Sequence, residues 1–77
     1  MELYELKNVF DAGGLVSATV SKAVLDKRFI LIFKTKSNSS VVMTSQREST
    51  PRLFKTIDAA VTTAHKIGFK QVTVDLS

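Results

Sequence analysis

The side chains that most often perform catalysis are scarce in this 77-residue chain, which has one histidine, no cysteine and seven carboxylates spread along its length. His65 falls in the last turn of a predicted helix, where a protonated imidazole interacts favourably with the negative end of the helix dipole. Asp58 falls in the first turn of the same helix, where a carboxylate compensates the exposed amides. A lone histidine without thiolates supplies no metal site. We therefore predict no catalytic residues, no metal and no cofactor, and a protein that is not an enzyme.

Two other features are typical of phosphate sites but have a simpler interpretation here. Gly13 and Gly14 precede a predicted strand, whereas a phosphate-binding glycine loop opens into a helix. These glycines are interpreted as the end of a helix. The serines and threonines between residues 37 and 50 are typical of strand faces and turns. Neither feature indicates a small-molecule ligand.

Positive charge is concentrated between residues 27 and 55. The whole chain carries a net charge of +4. Residues 1–26 hold two lysines and four carboxylates, for a net charge of −2, whereas residues 27–55 hold seven cations and one carboxylate, for a net charge of +6. The seven cations of this stretch are Lys27, Arg28, Lys34, Lys36, Arg47, Arg52 and Lys55.

Such a local excess of cations is typical of proteins that contact nucleic-acid phosphates, with affinity that falls as salt rises. The hairpin predicted below would place Lys34 and Lys36 at its turn, and Arg47, Arg52 and Lys55 toward its other end. Phe29 and Phe33 lie among the cations, but their alternation in an apolar strand favours a place in the core. No zinc-finger spacing or glycine-rich RNA-binding signature is present, so the sequence leaves DNA and RNA open.

An alternative function is a protein interaction or assembly module in which the lysines only maintain solubility and discourage strand pairing. A chain this short builds one small core, which rarely supplies more than about 3–5 kcal/mol of net stability without a disulfide or metal. A homodimer would bury more apolar surface. The absence of cysteine and of any signal-peptide pattern or long apolar run favours a cytoplasmic protein without a membrane segment.

The elements that must position these cations are predicted from hydrophobic spacing. Residues 3–10 have apolar side chains at helical spacing, although a strand is the alternative. From Leu15 the period changes to two, with Val16, Ala18 and Val20 on one face of a strand. Residues 29–33 are apolar on both faces, which is typical of a central strand. A polar turn at residues 37–40 joins them to a strand at residues 41–45.

The second half of the chain contains the clearest helix. Apolar residues recur at helical spacing over residues 57–67, with Thr56 as the expected N-cap and Gly68 just beyond the end. A last strand follows at residues 72–76. The sequence therefore predicts a single α+β domain over residues 1–77, in the order α-β-β-β-α-β, with a mainly antiparallel sheet and one amphipathic helix packed on one face.

Overall fold

The computed structural model describes residues 1–23, 27–45 and 50–76. It is a small, compact α+β domain, and the predicted order α-β-β-β-α-β is confirmed. The six elements are α1 (Leu3–Asp11), β1 (Leu15–Lys22), β2 (Phe29–Thr35), β3 (Ser40–Val42), α2 (Ile57–Ile67) and β4 (Thr73–Asp75).

The four strands form one sheet in the order β3-β2-β1-β4. β1, β2 and β3 are a meander of antiparallel neighbours, as predicted. β4 returns after α2 and lies parallel to β1 at the edge, so the sheet is mixed although mainly antiparallel. A parallel neighbour requires a crossover connection, which α2 provides.

Two helices, rather than one, cover the same face of the sheet. The apolar side of α1 contributes the fully buried Leu6 to the core, and α1 packs against α2 and β1. The prediction of a single covering helix was therefore incomplete. The core comprises the buried apolar residues Leu6, Leu15, Ala18, Val20, Leu31, Phe33, Met43, Phe54, Ala60, Ala64, Ile67 and Phe69.

The N-terminal segment is a helix and not the alternative strand. The backbone N–H of Glu2 donates to Oε1 of Glu5 at 3.1 Å, which satisfies one free amide at the start of α1. The chain then leaves the helix through Gly13, whose φ of +80° is readily adopted only by glycine. A tight reversal from α1 into β1 follows.

β1 contains one irregularity that the alternating pattern did not predict. The pairing with β2 shifts between Leu15 and Ser17, which is the signature of a β-bulge. The extra residue turns Leu15 into the core and leaves Val16 60% exposed. The placement of Val16 on the same face as Ala18 and Val20 was therefore wrong.

The polar turn joins β2 to a shorter third strand than the sequence predicted. Asn38 adopts a positive φ of +69°, and the N–H of Ser39 donates to Oγ1 of Thr35 at 3.1 Å. β3 pairs with β2 only over Ser40–Val42. The chain then diverges because Thr44 bridges Pro51 instead, which sets up the connector to α2.

α2 has the predicted limits and caps. Oγ1 of Thr56 accepts a hydrogen bond from the N–H of Ala59 at 3.1 Å. Gly68 ends the helix with a φ of +136°. The following Phe69 packs back on the core, with its ring centroid 4.8 Å from that of Phe10 and 5.7 Å from that of Phe33.

Within the described residues, neither helix has the length and apolar character needed to cross a membrane.

Candidate nucleic-acid interface

β2 separates the cations of residues 27–55 into two groups. Lys27 and Arg28 directly precede the first residue of β2, whereas Lys34 lies near its last residue and Lys36 just beyond it. A strand rises about 3.3 Å per residue, so the two ends of β2 are about 20 Å apart. One continuous basic surface is therefore absent from the described part of the chain, and each group must be considered separately.

The first group is completed by a backbone bridge between Phe29 and Phe54. Each of these residues donates its N–H to the carbonyl oxygen of the other, at 2.8 Å in both cases. The bridge places Lys55 beside the start of β2. Arg52 lies two residues earlier, with its guanidinium carbon 5.0 Å from the centroid of the Phe54 ring. This cation–π contact holds the guanidinium at a defined position.

Sequence reasoning missed one member of this group. Lys22 is the last residue of β1, and the antiparallel register pairs it with Phe29 at the start of β2. The sequence counted Lys22 within the acidic N-terminal stretch, although its side chain is exposed beside the later cations. The useful signal was the hairpin itself, because the last residue of one strand lies beside the first residue of its antiparallel partner.

We call this group the basic end, and its members are Lys22, Lys27, Arg28, Arg52 and Lys55. All five side chains are exposed. The described carboxylates nearest in the topology are Asp58, in the first turn of α2, Asp75, which is paired with Ser21 on β1, and Glu2, which lines the same cleft as Arg52. With five cations and three carboxylates, the described part of this end has an excess of positive charge.

The second group consists of Lys34 and Lys36 beside the polar turn. Lys34 is paired with Ser17 on one side and with Ser40 on the other. Lys36 is exposed in the turn, and its backbone N–H donates to the carbonyl oxygen of Gly14 at 2.9 Å. Arg47, the seventh cation of the sequence prediction, lies outside the described residues.

The face of the sheet opposite the helices is mostly polar and lacks an aromatic stacking surface among the described residues. In register it presents Ser17, Thr19, Ser21, Ile30, Ile32, Lys34, Ser40, Val42, Thr73 and Asp75. Ile30, Ile32 and Val42 are half-buried. None of these ten described residues is aromatic, and sheets that bind single strands by stacking carry aromatic side chains on this face.

The aromatic side chains lie mostly on the helix side of the sheet. Phe33 is buried and Phe29 is half-buried against the core, as the sequence predicted for both, and Phe54 is buried as well. Tyr4 differs, because it is 68% exposed. It lines a cleft of about 210 Å³ whose walls are formed by Glu2, Leu3, Tyr4, Met43, Thr44 and Arg52.

His65, the single histidine of the sequence, has a structural partner. Nδ1 of His65 lies 2.6 Å from the carbonyl oxygen of Phe69. Because a carbonyl oxygen only accepts, Nδ1 is the donor, and the imidazole helps to hold the chain where it leaves α2. No cluster of three histidine or carboxylate side chains that could hold a metal ion occurs within the described ranges.

Comparison with known proteins identifies no relative, so the function is inferred from the geometry of the site. No protein-family model matches the chain, and no curated protein or solved structure matches it either.

Proposed function

We propose that this protein is a cytoplasmic, non-enzymatic module that binds nucleic acid through phosphate contacts and has an accessory or regulatory role. The observation that carries the proposal is the basic end, where three separate segments of the chain bring five exposed cations together. Cations grouped in this way attract the phosphate backbone and release its condensed counterions on binding. Lys34 and Lys36 offer a second contact, about 20 Å away along β2.

The arrangement favours contacts with the backbone over recognition of base sequence. Phosphate binding requires only cationic and N–H donors at suitable positions, which the basic end supplies. The ten outer-face positions supply no aromatic platform for bases. Arg52 also binds a phosphate with a smaller loss of side-chain entropy than a freely moving arginine, because its guanidinium already lies against the Phe54 ring. We therefore expect binding to a duplex that depends strongly on salt and weakly on sequence.

A charge-matched pair of variants tests this proposal. The basic-end variant carries Ala in place of three lysines, Lys22, Lys27 and Lys55. The control variant carries Ala in place of three other exposed lysines, Lys7, Lys66 and Lys70. Both variants change the net charge from +4 to +1, so they differ only in where the charge is lost.

The affinity of each variant for a labelled duplex is measured by fluorescence anisotropy over a range of salt concentrations. Removing three phosphate contacts makes the negative slope of log K against log salt shallower by about 2.7, since each contact to B-DNA contributes about −0.9. The control variant should keep most of the slope of the unmodified protein. Equal losses in the two variants would show that only the overall charge matters, and the basic end would then be rejected as the binding site.

One observation favours the alternative of a protein interaction or assembly module. β4 lies at an edge of the sheet, with no further strand beside it in the described residues, and two apolar residues at this edge are exposed, Val74 at 43% and Leu76 at 50%. The opposite edge differs, because the terminal amine of Met1 donates to the carbonyl oxygen of Val42 in β3 at 3.3 Å. An open edge with exposed apolar side chains pairs readily with another strand, including that of a second copy.

The oligomeric state distinguishes this alternative from the first proposal. Sedimentation velocity is measured for the unmodified protein, for Val74→Lys and for Val16→Lys, which introduces the same charge at another exposed valine. Self-association that is lost only in Val74→Lys supports pairing through β4. If the unmodified protein is a monomer at all accessible concentrations, homodimerisation through this edge is rejected.

A further inference from the structure

The cleft beside α1 combines features that phosphate binding does not use. Its walls come from the first turn of α1, from Met43 and Thr44 after β3, and from Arg52 in the connector to α2. Leu3 supplies apolar surface above the buried Met43, Tyr4 supplies an aromatic ring, and Glu2 and Arg52 supply opposite charges. Mostly apolar walls with a few polar groups are typical of a site for a small planar ligand.

Tyr4 is placed differently from the other large apolar side chains of α1. Leu6 is fully buried, and Leu3, Val9 and Phe10 pack against the core. Tyr4 lies outside this apolar stripe and leaves 68% of its surface exposed. Its exposed ring offers a flat surface on which another ring can stack.

Arg52 connects the cleft to the basic end, because it belongs to both. Its guanidinium is positioned on the Phe54 ring rather than extended freely into solvent. A phosphate bound by Arg52 at the rim would therefore place the attached sugar and base near the cleft. At about 210 Å³ the cleft is smaller than sites for drug-sized ligands, which span about 300–1,000 Å³. It suits a single ring system.

We propose that this cleft binds one unpaired nucleobase of the nucleic acid whose phosphates contact the basic end. Tyr4 stacks on the base, and Arg52 contacts the adjoining phosphate. The proposal rests on the phosphate-binding function proposed above and adds a preference for single strands to it. A base within a duplex is paired and stacked, so it enters the cleft only after the cost of flipping is met.

Glu2 indicates which pyrimidine base the cleft prefers. A carboxylate accepts hydrogen bonds and donates none, so it suits the exocyclic amino group of cytosine and disfavours the O4 carbonyl of thymine. The two bases are otherwise similar in size. We therefore expect tighter binding of oligo(dC) than of oligo(dT), and Glu2→Gln should reduce this difference because the amide both donates and accepts.

The test compares Tyr4→Ala with Tyr4→Phe on two ligands, a labelled oligo(dC) single strand and a duplex of the same length, by fluorescence anisotropy. Loss of one stacked base weakens binding by about 5- to 150-fold. We expect this loss for Tyr4→Ala on the single strand only, whereas Tyr4→Phe retains the ring and the affinity. Circular dichroism checks that the variants fold, which the exposure of Tyr4 favours.

The outcomes separate this inference from the function on which it rests. Unchanged single-strand affinity in Tyr4→Ala, or an equal loss on the duplex, rejects the base-binding cleft and leaves phosphate binding intact. If the unmodified protein binds neither ligand at low salt, both proposals are rejected. A selective loss on the single strand together with preserved affinity in Tyr4→Phe supports the cleft as a base-binding site.

Discussion

Replacing Gly68 by alanine should remove most of the stability of this domain. Gly68 caps α2 with a φ of +136°, where an L residue costs about 1–3 kcal/mol of backbone strain. A Cβ at this position would also overlap the Phe10 ring, with its Cδ1 only 2.7 Å away. The ring packs edge-on against Phe69, so moving it disturbs the core. Overpacking of this kind costs about another 1–3 kcal/mol.

These two costs together reach about 2–6 kcal/mol, which compares with the roughly 3–5 kcal/mol of net stability available to a core of this size. Gly13→Ala is the matched control. Gly13 also has a positive φ, of +80°, but a Cβ there meets no atom within 4 Å. Its replacement should therefore cost only the backbone strain, about 1–2 kcal/mol.

The assay is urea denaturation followed by circular dichroism, with the free energy of unfolding obtained by linear extrapolation. We expect Gly13→Ala to unfold cooperatively at a reduced urea midpoint and Gly68→Ala to be largely unfolded without urea. Adding Phe10→Leu to Gly68→Ala should restore part of the stability, because the two positions share one contact. A loss in Gly68→Ala no larger than that in Gly13→Ala would refute the steric role of Phe10.

Two further predictions concern the cap of α2 and the bulge in β1. Thr56→Ala should lower the free energy of unfolding by about 1 kcal/mol, because the N–H of Ala59 loses its acceptor. The control is Thr62→Ala, at an exposed position of the same helix, which should change the free energy of unfolding by less than about 0.5 kcal/mol. Leu15→Ala should cost about 2–3 kcal/mol and Val16→Ala less than about 0.5 kcal/mol, since the bulge buries only the former. Urea denaturation measures the free energy of unfolding of all four variants. A larger loss in Thr62→Ala than in Thr56→Ala would contradict the assigned cap, and a larger loss in Val16→Ala than in Leu15→Ala would contradict the assigned bulge.

Features set by neighbouring residues could be predicted from the sequence. The limits of α2 follow from apolar residues at helical spacing, with Thr56 before the first turn and Gly68 after the last. The polar turn at residues 37–40 likewise follows from residues that favour positive φ and side-chain hydrogen bonds to the backbone. Each of these signals lies within a few residues of the structure that it determines.

Features set by distant pairings could not be predicted in this way. The bulge that exposes Val16 depends on the register with β2, and the parallel placement of β4 depends on the path of the whole chain around the sheet. Lys22 differs, because its partner Phe29 lies only seven positions later and the predicted hairpin already carried the signal. The cleft forms because α1 packs near Arg52, which is distant in sequence. Local sequence patterns do not predict such a tertiary contact.

The most direct test of the central claim is the affinity of the unmodified protein for a nucleic-acid duplex as a function of salt concentration. If four of the five cations of the basic end each contact a phosphate, a plot of log K against log salt has a slope of about −3.6, and contacts from both Lys34 and Lys36 would steepen it to about −5.4. A straight line with a slope between about −3 and −5.5 would agree with phosphate binding. No binding at about 50 mM salt, or an affinity that does not change with salt, would contradict it.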